Sequence, residues 1–137
     1  MLESKFQREL REEITGRGGR TFKLSGTAYQ VGLPDLLCCI DGKTFFVETK
    51  VSPQLKKAVG KMHYLKGVTL LQQTTLIDMV NKGDAKVIIA VQVKRDIAYI
   101  YKLVRLTNTI MLDESAIKTM TWLRGRGWNI NVILNML

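Results

Sequence analysis

The chain has 137 residues, 46% of them hydrophobic and 24% charged, with 21 Lys and Arg against 12 Asp and Glu for a formal net charge of +9. That length suits a single domain with a real core, the hydrophobic content excludes disorder, and no apolar run reaches the ~18 residues of a membrane span. The charge favours a polyanionic partner without choosing among nucleic acid, an acidic membrane and an acidic protein.

The charged, helix-patterned start, with no apolar leader, points to the cytoplasm. From Leu2 to Ile14 the spacing predicts a helix, with Phe6, Leu10 and Ile14 as its buried stripe. Glu3 and Gln7 fall within or beside that stripe, Glu9 and Glu12 outside it, and Glu13 at its margin. Glu3 is either a helix-start acid favoured by the dipole or a carboxylate serving a site. Gly16-Arg17-Gly18-Gly19-Arg20 ends the helix in a flexible basic loop, a plain turn or a phosphate contact through Arg17 and Arg20.

Thr21 to Leu24 reads as a short strand and Ser25 to Gly32 as a polar connection. Gly32 to Lys50 then reads as two strands joined by Asp41-Gly42, the strongest short hairpin signal, because a type I′ turn needs positive φ at both central positions. If Ile40 pairs with Lys43, Asp35 falls opposite Glu48, and Lys50 shares their face by the period of two. Opposed carboxylates stand roughly 5 Å apart and repel. A hard divalent cation would offset that repulsion. The bland alternative is a strand pair whose polar ends reach solvent. Leu37, Cys39 and Phe46 on the acidic face, with Leu36, Cys38, Ile40, Phe45 and Val47 on the other, predict a sheet covered on both sides. Cys38 and Cys39, the only cysteines, are expected to be reduced and structural, since His63 is the only histidine and no Cys-x-x-Cys occurs.

After Val51-Ser52-Pro53 come Lys56, Lys57, Lys61 and Lys66, interrupted by Gly60 and Gly67. This is either a solvated helix or loop or a mobile groove for a phosphate backbone. Thr69 with Gln72 has capping-box spacing and opens a helix to Lys82, closed by Gly83. Leu76, Ile77 and Val80 form its buried face, which Gln73 shares and Gln72 borders. Lys86 to Val93 and Ile97 to Val104 form a second hairpin. Asp113 caps a helix through Ile117, Met120 and Leu123 to Gly125, and Trp128, Ile130 and Val132 alternate as a final strand that completes its own sheet or a dimer interface. The expected fold is α/β, one domain over residues 1–137, with a central mixed β-sheet flanked by helices in the order α-β-β-β-α-β-β-α-β. No basic amphipathic helix with an aromatic face is present, which argues against a membrane surface.

Pro34-Asp35 and Glu48-Thr49-Lys50, after a helix opening Glu3-Ser4-Lys5-Phe6-Gln7 and before a helix with Gln72 and Gln73, resemble the PD-(D/E)xK nuclease superfamily. The likeness is to its archaeal-type and phage Holliday junction resolvases and its VRR-NUC nucleases, over residues 2–93. It implies a restriction-endonuclease-like core and a metal-dependent endonuclease for branched or duplex DNA. Asp35, Glu48 and the Thr49 carbonyl would hold Mg²⁺, with Mn²⁺ substituting, and Lys50 would position water. Glu3 best matches the family's first-helix glutamate, and both Gln72 and Gln73 match its later glutamine. Arg17, Arg20, Lys56, Lys57, Lys61 and Lys66 would bind DNA. A resolvase cuts two symmetry-related strands, implying a homodimer in the cytoplasm of a prokaryote or phage-infected cell. The rival readings are a VRR-NUC-like repair nuclease and a catalytically silent nucleic-acid-binding module.

Overall fold

The computed structural model describes residues 3–24, 32–51, 56–59, 62–64, 70–94, 97–103, 111–113, 117–121 and 130–137. Asp41 and Gly42 take φ of 52° and 74°, the positive pair a type I′ turn requires. This turn joins β2 (Leu36–Ile40) to β3 (Lys43–Val51) in the expected register, Ile40 opposite Lys43 and Leu36 opposite Val47. Before them stand α1 (Glu3–Gly16) and β1 (Arg20–Lys23), which pairs antiparallel with β2. Next come β4 (Lys56–Val59), β5 (Met62–Tyr64), α2 (Leu70–Gly83), β6 (Val87–Lys94) and β7 (Ile97–Lys102). The described chain ends with β8 (Met111–Asp113), β9 (Ile117–Thr121) and α3 (Ile130–Leu134).

Six strands form one mixed sheet in the order β1-β2-β3-β6-β7-β9, and β4-β5-β8 form a second. The parallel pair is β3 with β6, as a crossover through a helix demands. On one face α1 and α3 bury Phe6, Leu10, Ile14, Ile130 and Ile133 against Leu36, Cys38, Ile40, Phe45, Val47, Ile88 and Ala90. On the other, Leu76 and Val80 of α2 pack on Val87, Ile89, Val91, Tyr101 and Leu103. The expected α/β sandwich of helices around a central mixed sheet is present.

Its element order differs from expectation in three places. Lys56–Val59 and Met62–Tyr64 pair as strands, not as a helix or loop, with Val59 opposite Met62. Two residues, Gly60-Lys61, separate that pair, and Gly-x is itself a two-residue hairpin signal. The expected helix from Asp113 is replaced by β8 and β9, where Ile117, Thr119 and Thr121 set a β-branched period of two against Tyr101, Tyr99 and Ile97 of β7. The expected final strand is α3, with Ile130 and Ile133 both buried at helical spacing and Asn135 N–H bonding the Asn131 carbonyl at 3.0 Å. The consecutive apolar run Val132-Ile133-Leu134 satisfies either period, so packing decided it. Trp128, Thr69 and the 25–31 connection lie outside the described residues. The hairpin is also covered unequally, since Leu37, Cys39 and Phe46 are only half-buried whereas the α1 face is closed.

Gly16 to Arg20 is a fixed cap, not a flexible loop. Gly18 turns left-handed at φ +86°, and Gly19 N–H reaches the Ile14 carbonyl at 2.9 Å while Gly18 N–H meets Thr15 at 3.0 Å, which is a Schellman motif. At the end of α2 the left-handed residue is Asp84 (φ 51°), one past the expected Gly83. A Cβ on Gly19 would lie 2.7 Å from the Cys39 carbonyl oxygen and from Ile14 Cγ2. Gly19→Ala therefore forces backbone apart and should cost about 1–3 kcal/mol. Gly18→Ala meets no neighbour within 4 Å and should cost only the left-handed penalty of about 1 kcal/mol. Urea unfolding should rank Gly19→Ala as the more damaging.

Burial, reinforced by the neighbouring Cys39 and opposed by Arg11, pushes the Cys38 thiol from 9.0 up to about 12. The unfolded chain would lose this proton from its ordinary value upward while the folded chain keeps it, so Cys38 lowers stability progressively as pH rises through that interval. At pH 8 a maleimide should label the half-buried Cys39 and leave Cys38 unmodified until the protein is unfolded, as read by mass spectrometry of peptides.

Candidate active site

The alternation of hydrogen-bonded pairs along the β2–β3 ladder runs from Ile40–Lys43 through Leu36–Val47, so Thr49 N–H should next meet residue 34. That residue is Pro34, which has no N–H to return, and here β2 ends. The carboxylate of Asp35 takes the place instead: its Oδ2 accepts from Thr49 N–H at 2.8 Å and from Thr49 Oγ1 at 2.7 Å. The Asp35 carbonyl is held by Leu24 N–H at 2.8 Å. The paired register ends at Leu36 opposite Val47, so Asp35 lies just outside β2, and its carboxylate bonds Thr49.

Glu48 has no accessible surface. A buried carboxylate needs charge and hydrogen-bond partners. Lys50, on the same face two residues on, brings Nζ to 3.9 Å from Glu48 Oε1, and Gln72 of α2 donates from Nε2 to Oε2 at 3.3 Å. Gln72 reaches this far because α2 lies against the Gly32-x-Pro34-Asp35 turn. Gly32 has φ +90°, and a Cβ there would stand 2.7 Å from Thr75 Oγ1. The bare backbone lets α2 approach.

Two sets of contacts therefore lie near the carboxyl end of β3, Glu48 with Lys50 and Gln72, and Asp35 with Thr49. The hydrogen bond to Glu48 comes from Gln72, at the edge of the helix's apolar face; Gln73 follows it, half-buried with its Oε1 enclosed. Glu3 opens α1, a helix packed on the opposite face of the sheet, and its side chain is outside the described residues. Glu9 and Glu12 are drawn into i,i+4 pairs with Lys5 and Arg8, at 4.0 and 3.7 Å.

Arg17 and Arg20 lie at the other end of the hairpin, Arg20 opposite Cys39, about 13 Å along the strand from Asp35. Arg17 Nη2 donates to Asn131 Oδ1 at 3.1 Å, and Arg20 sits 4.7 Å over the Phe22 ring. Lys56 and Lys57 belong to β4, and Lys61 and Lys66 lie outside the described residues. What residue-by-residue reading missed is the hydroxyl of Thr49. The signal was there in Pro34, which ends the ladder and leaves Thr49 N–H to a side chain.

Among the described residues no three His, Cys, Asp or Glu side chains converge. The donor set nonetheless fits a hard divalent ion: two carboxylates plus the Thr49 carbonyl, which points to the same edge as Thr49 N–H, toward the gap where β2 ends.

No protein-family model matches the chain, and no curated relative matches it in sequence. Among solved structures, the fold is similar to that of Hjc, a Holliday junction resolvase from the archaeon Archaeoglobus fulgidus. The TM-score is 0.53 at 20% identity, covering 82% of this chain and 89% of that one. The likeness establishes the restriction-endonuclease-like fold expected from the sequence.

Gln72→Glu would set a second carboxylate against the buried Glu48. Stability should fall by about 1–3 kcal/mol at pH 7 and recover as pH is lowered and one acid takes a proton, as followed by urea midpoints across pH.

Proposed function

We propose that this protein is a metal-dependent endonuclease that cuts branched DNA, of the Holliday junction resolvase kind. The observation that carries the reading is the fully buried Glu48 with Lys50 3.9 Å from it, beside Thr49, whose N–H and hydroxyl both bond Asp35. It is supported by the fold shared with a resolvase and by the net charge of +9.

Asp35, Glu48 and the Thr49 carbonyl would hold Mg²⁺, or Mn²⁺ in its place, with Glu3 from α1 completing the set. When bound, the ion supplies positive charge against a scissile phosphate. Lys50 presents its ammonium where it can orient an attacking water and stabilise the charge gathering on the phosphate oxygens. Gln72, with Gln73 beside it, keeps the Glu48 carboxylate from turning.

Arg20, about 13 Å along the strand from Asp35, would grip the phosphate backbone together with Arg17. Lys56, Lys57, Lys61 and Lys66 would add further phosphate contacts. Cutting two symmetry-related strands calls for a twofold dimer with two such sites, in the cytoplasm where the DNA is.

A synthetic four-way junction, a linear duplex and a single strand, each incubated with Mg²⁺ or EDTA, test this. The junction should be cut in Mg²⁺ alone, and Asp35→Asn should lower cleavage at least about a hundredfold while leaving junction binding in place. Absence of Mg²⁺-dependent cleavage of every substrate would leave a silent nucleic-acid-binding module. Equal cutting of linear duplex would favour a repair nuclease over a resolvase.

A further inference from the structure

Thr49 enters the metal reading through its carbonyl, yet its side chain is the more constrained part. It is fully buried and, by the pleat, projects to the face opposite Glu48 and Lys50. Its hydroxyl donates to Asp35 Oδ2 at 2.7 Å, onto the oxygen that already receives the Thr49 N–H at 2.8 Å at the strand edge. Among the described residues, all hydrogen bonds to this carboxylate fall on Oδ2.

A carboxylate at a strand end can rotate about two bonds. One donor leaves it free to swing about that contact; two donors from one rigid strand residue fix both the position of Oδ2 and the plane of the group. Thr49 is β-branched, fully buried and paired with β6 opposite Ala90, so its own rotamer is held. The second oxygen, Oδ1, is then presented in one direction.

We propose that the Thr49 hydroxyl is a positioning group that pins Asp35 Oδ2 and thereby presents Oδ1 to a divalent cation. This rests on the metal-dependent reading above. The same residue would serve the ion twice, by its carbonyl directly and by its hydroxyl through Asp35. Outer groups of this kind commonly change metal affinity by about 10–100-fold when removed.

The test compares wild type, Thr49→Val, Thr49→Ser and Asp35→Asn. Valine keeps the shape, the branching and the N–H contact and removes only the hydroxyl; serine restores the hydroxyl. Mn²⁺ affinity is measured without DNA by electron paramagnetic resonance, beside the Mg²⁺ concentration for half-maximal junction cleavage. Thr49→Val should weaken Mn²⁺ binding about tenfold or more and raise the Mg²⁺ requirement in proportion, with cleavage at saturating Mg²⁺ largely recovered. Thr49→Ser should stay within about threefold of wild type, a rescue that loss of packing would not give.

Wild-type Mn²⁺ binding by Thr49→Val, while Asp35→Asn loses it, would overturn the proposal and leave the metal reading standing. No Mn²⁺ binding by wild type would overturn both. Should Thr49→Val not fold, Thr49→Cys, whose thiol is a weak donor, is held to the same outcomes.

Discussion

A carboxylate with no contact to water is the constraint around which this molecule is arranged. Removing such a charge from water costs several kcal/mol even after relaxation, and the loss is offset only by charges and donors in the right places. For Glu48 these come from two directions: Lys50 along the same strand, and Gln72 across from α2. The second depends on Gly32, whose lack of a side chain lets the helix settle onto the turn that delivers Asp35. A single missing methyl group thus ties the helix, the turn and both acids into one unit. The core beneath, with α2 on Val87, Ile89 and Val91, keeps that unit in register.

The features legible in the sequence were those whose determinants are local. Asp41-Gly42 sets the hairpin register from Ile40–Lys43 to Leu36–Val47, and the period of two puts Lys50 on the face of Glu48. The stripe Phe6-Leu10-Ile14 marked α1, and all three are buried. The misread segments take their structure from distant partners. β5 is completed by β8, with Met62 opposite Asp113, and β9 is recruited by β7. In these short runs helical and alternating spacing coexist, and only the neighbour breaks the tie. Within the site, the period of two marks Lys50 as a neighbour of Glu48, whereas no local spacing marks the Thr49 hydroxyl, whose partner Asp35 comes from beyond the end of β2.

The basic residues near the hairpin turn are ordered before any ligand arrives. Arg17 lies within a Schellman cap and is tethered to Asn131, Lys43 Nζ donates to the Leu134 carbonyl at 3.1 Å, and Arg20 is stacked on Phe22. Preordered cations lose less conformational freedom on engaging a phosphate than lysines on a loose loop do, which favours recognition of a particular backbone path over indiscriminate attraction. Charge of +9 supplies attraction at any angle; fixed arginines supply geometry.

The place of β3 in the sheet carries a last consequence. Strands β2 and β6 bracket it on either side, and helices cover both faces of the sheet. Fraying begins at edges such as β1 and β9, and openings that start there can close again without disturbing the central strands. Glu48, on the central strand, is therefore insulated from the molecule's ordinary breathing. Control over that residue has to be exerted from outside, by what is admitted to the strand end, because loosening Glu48 would mean dismantling the sheet itself.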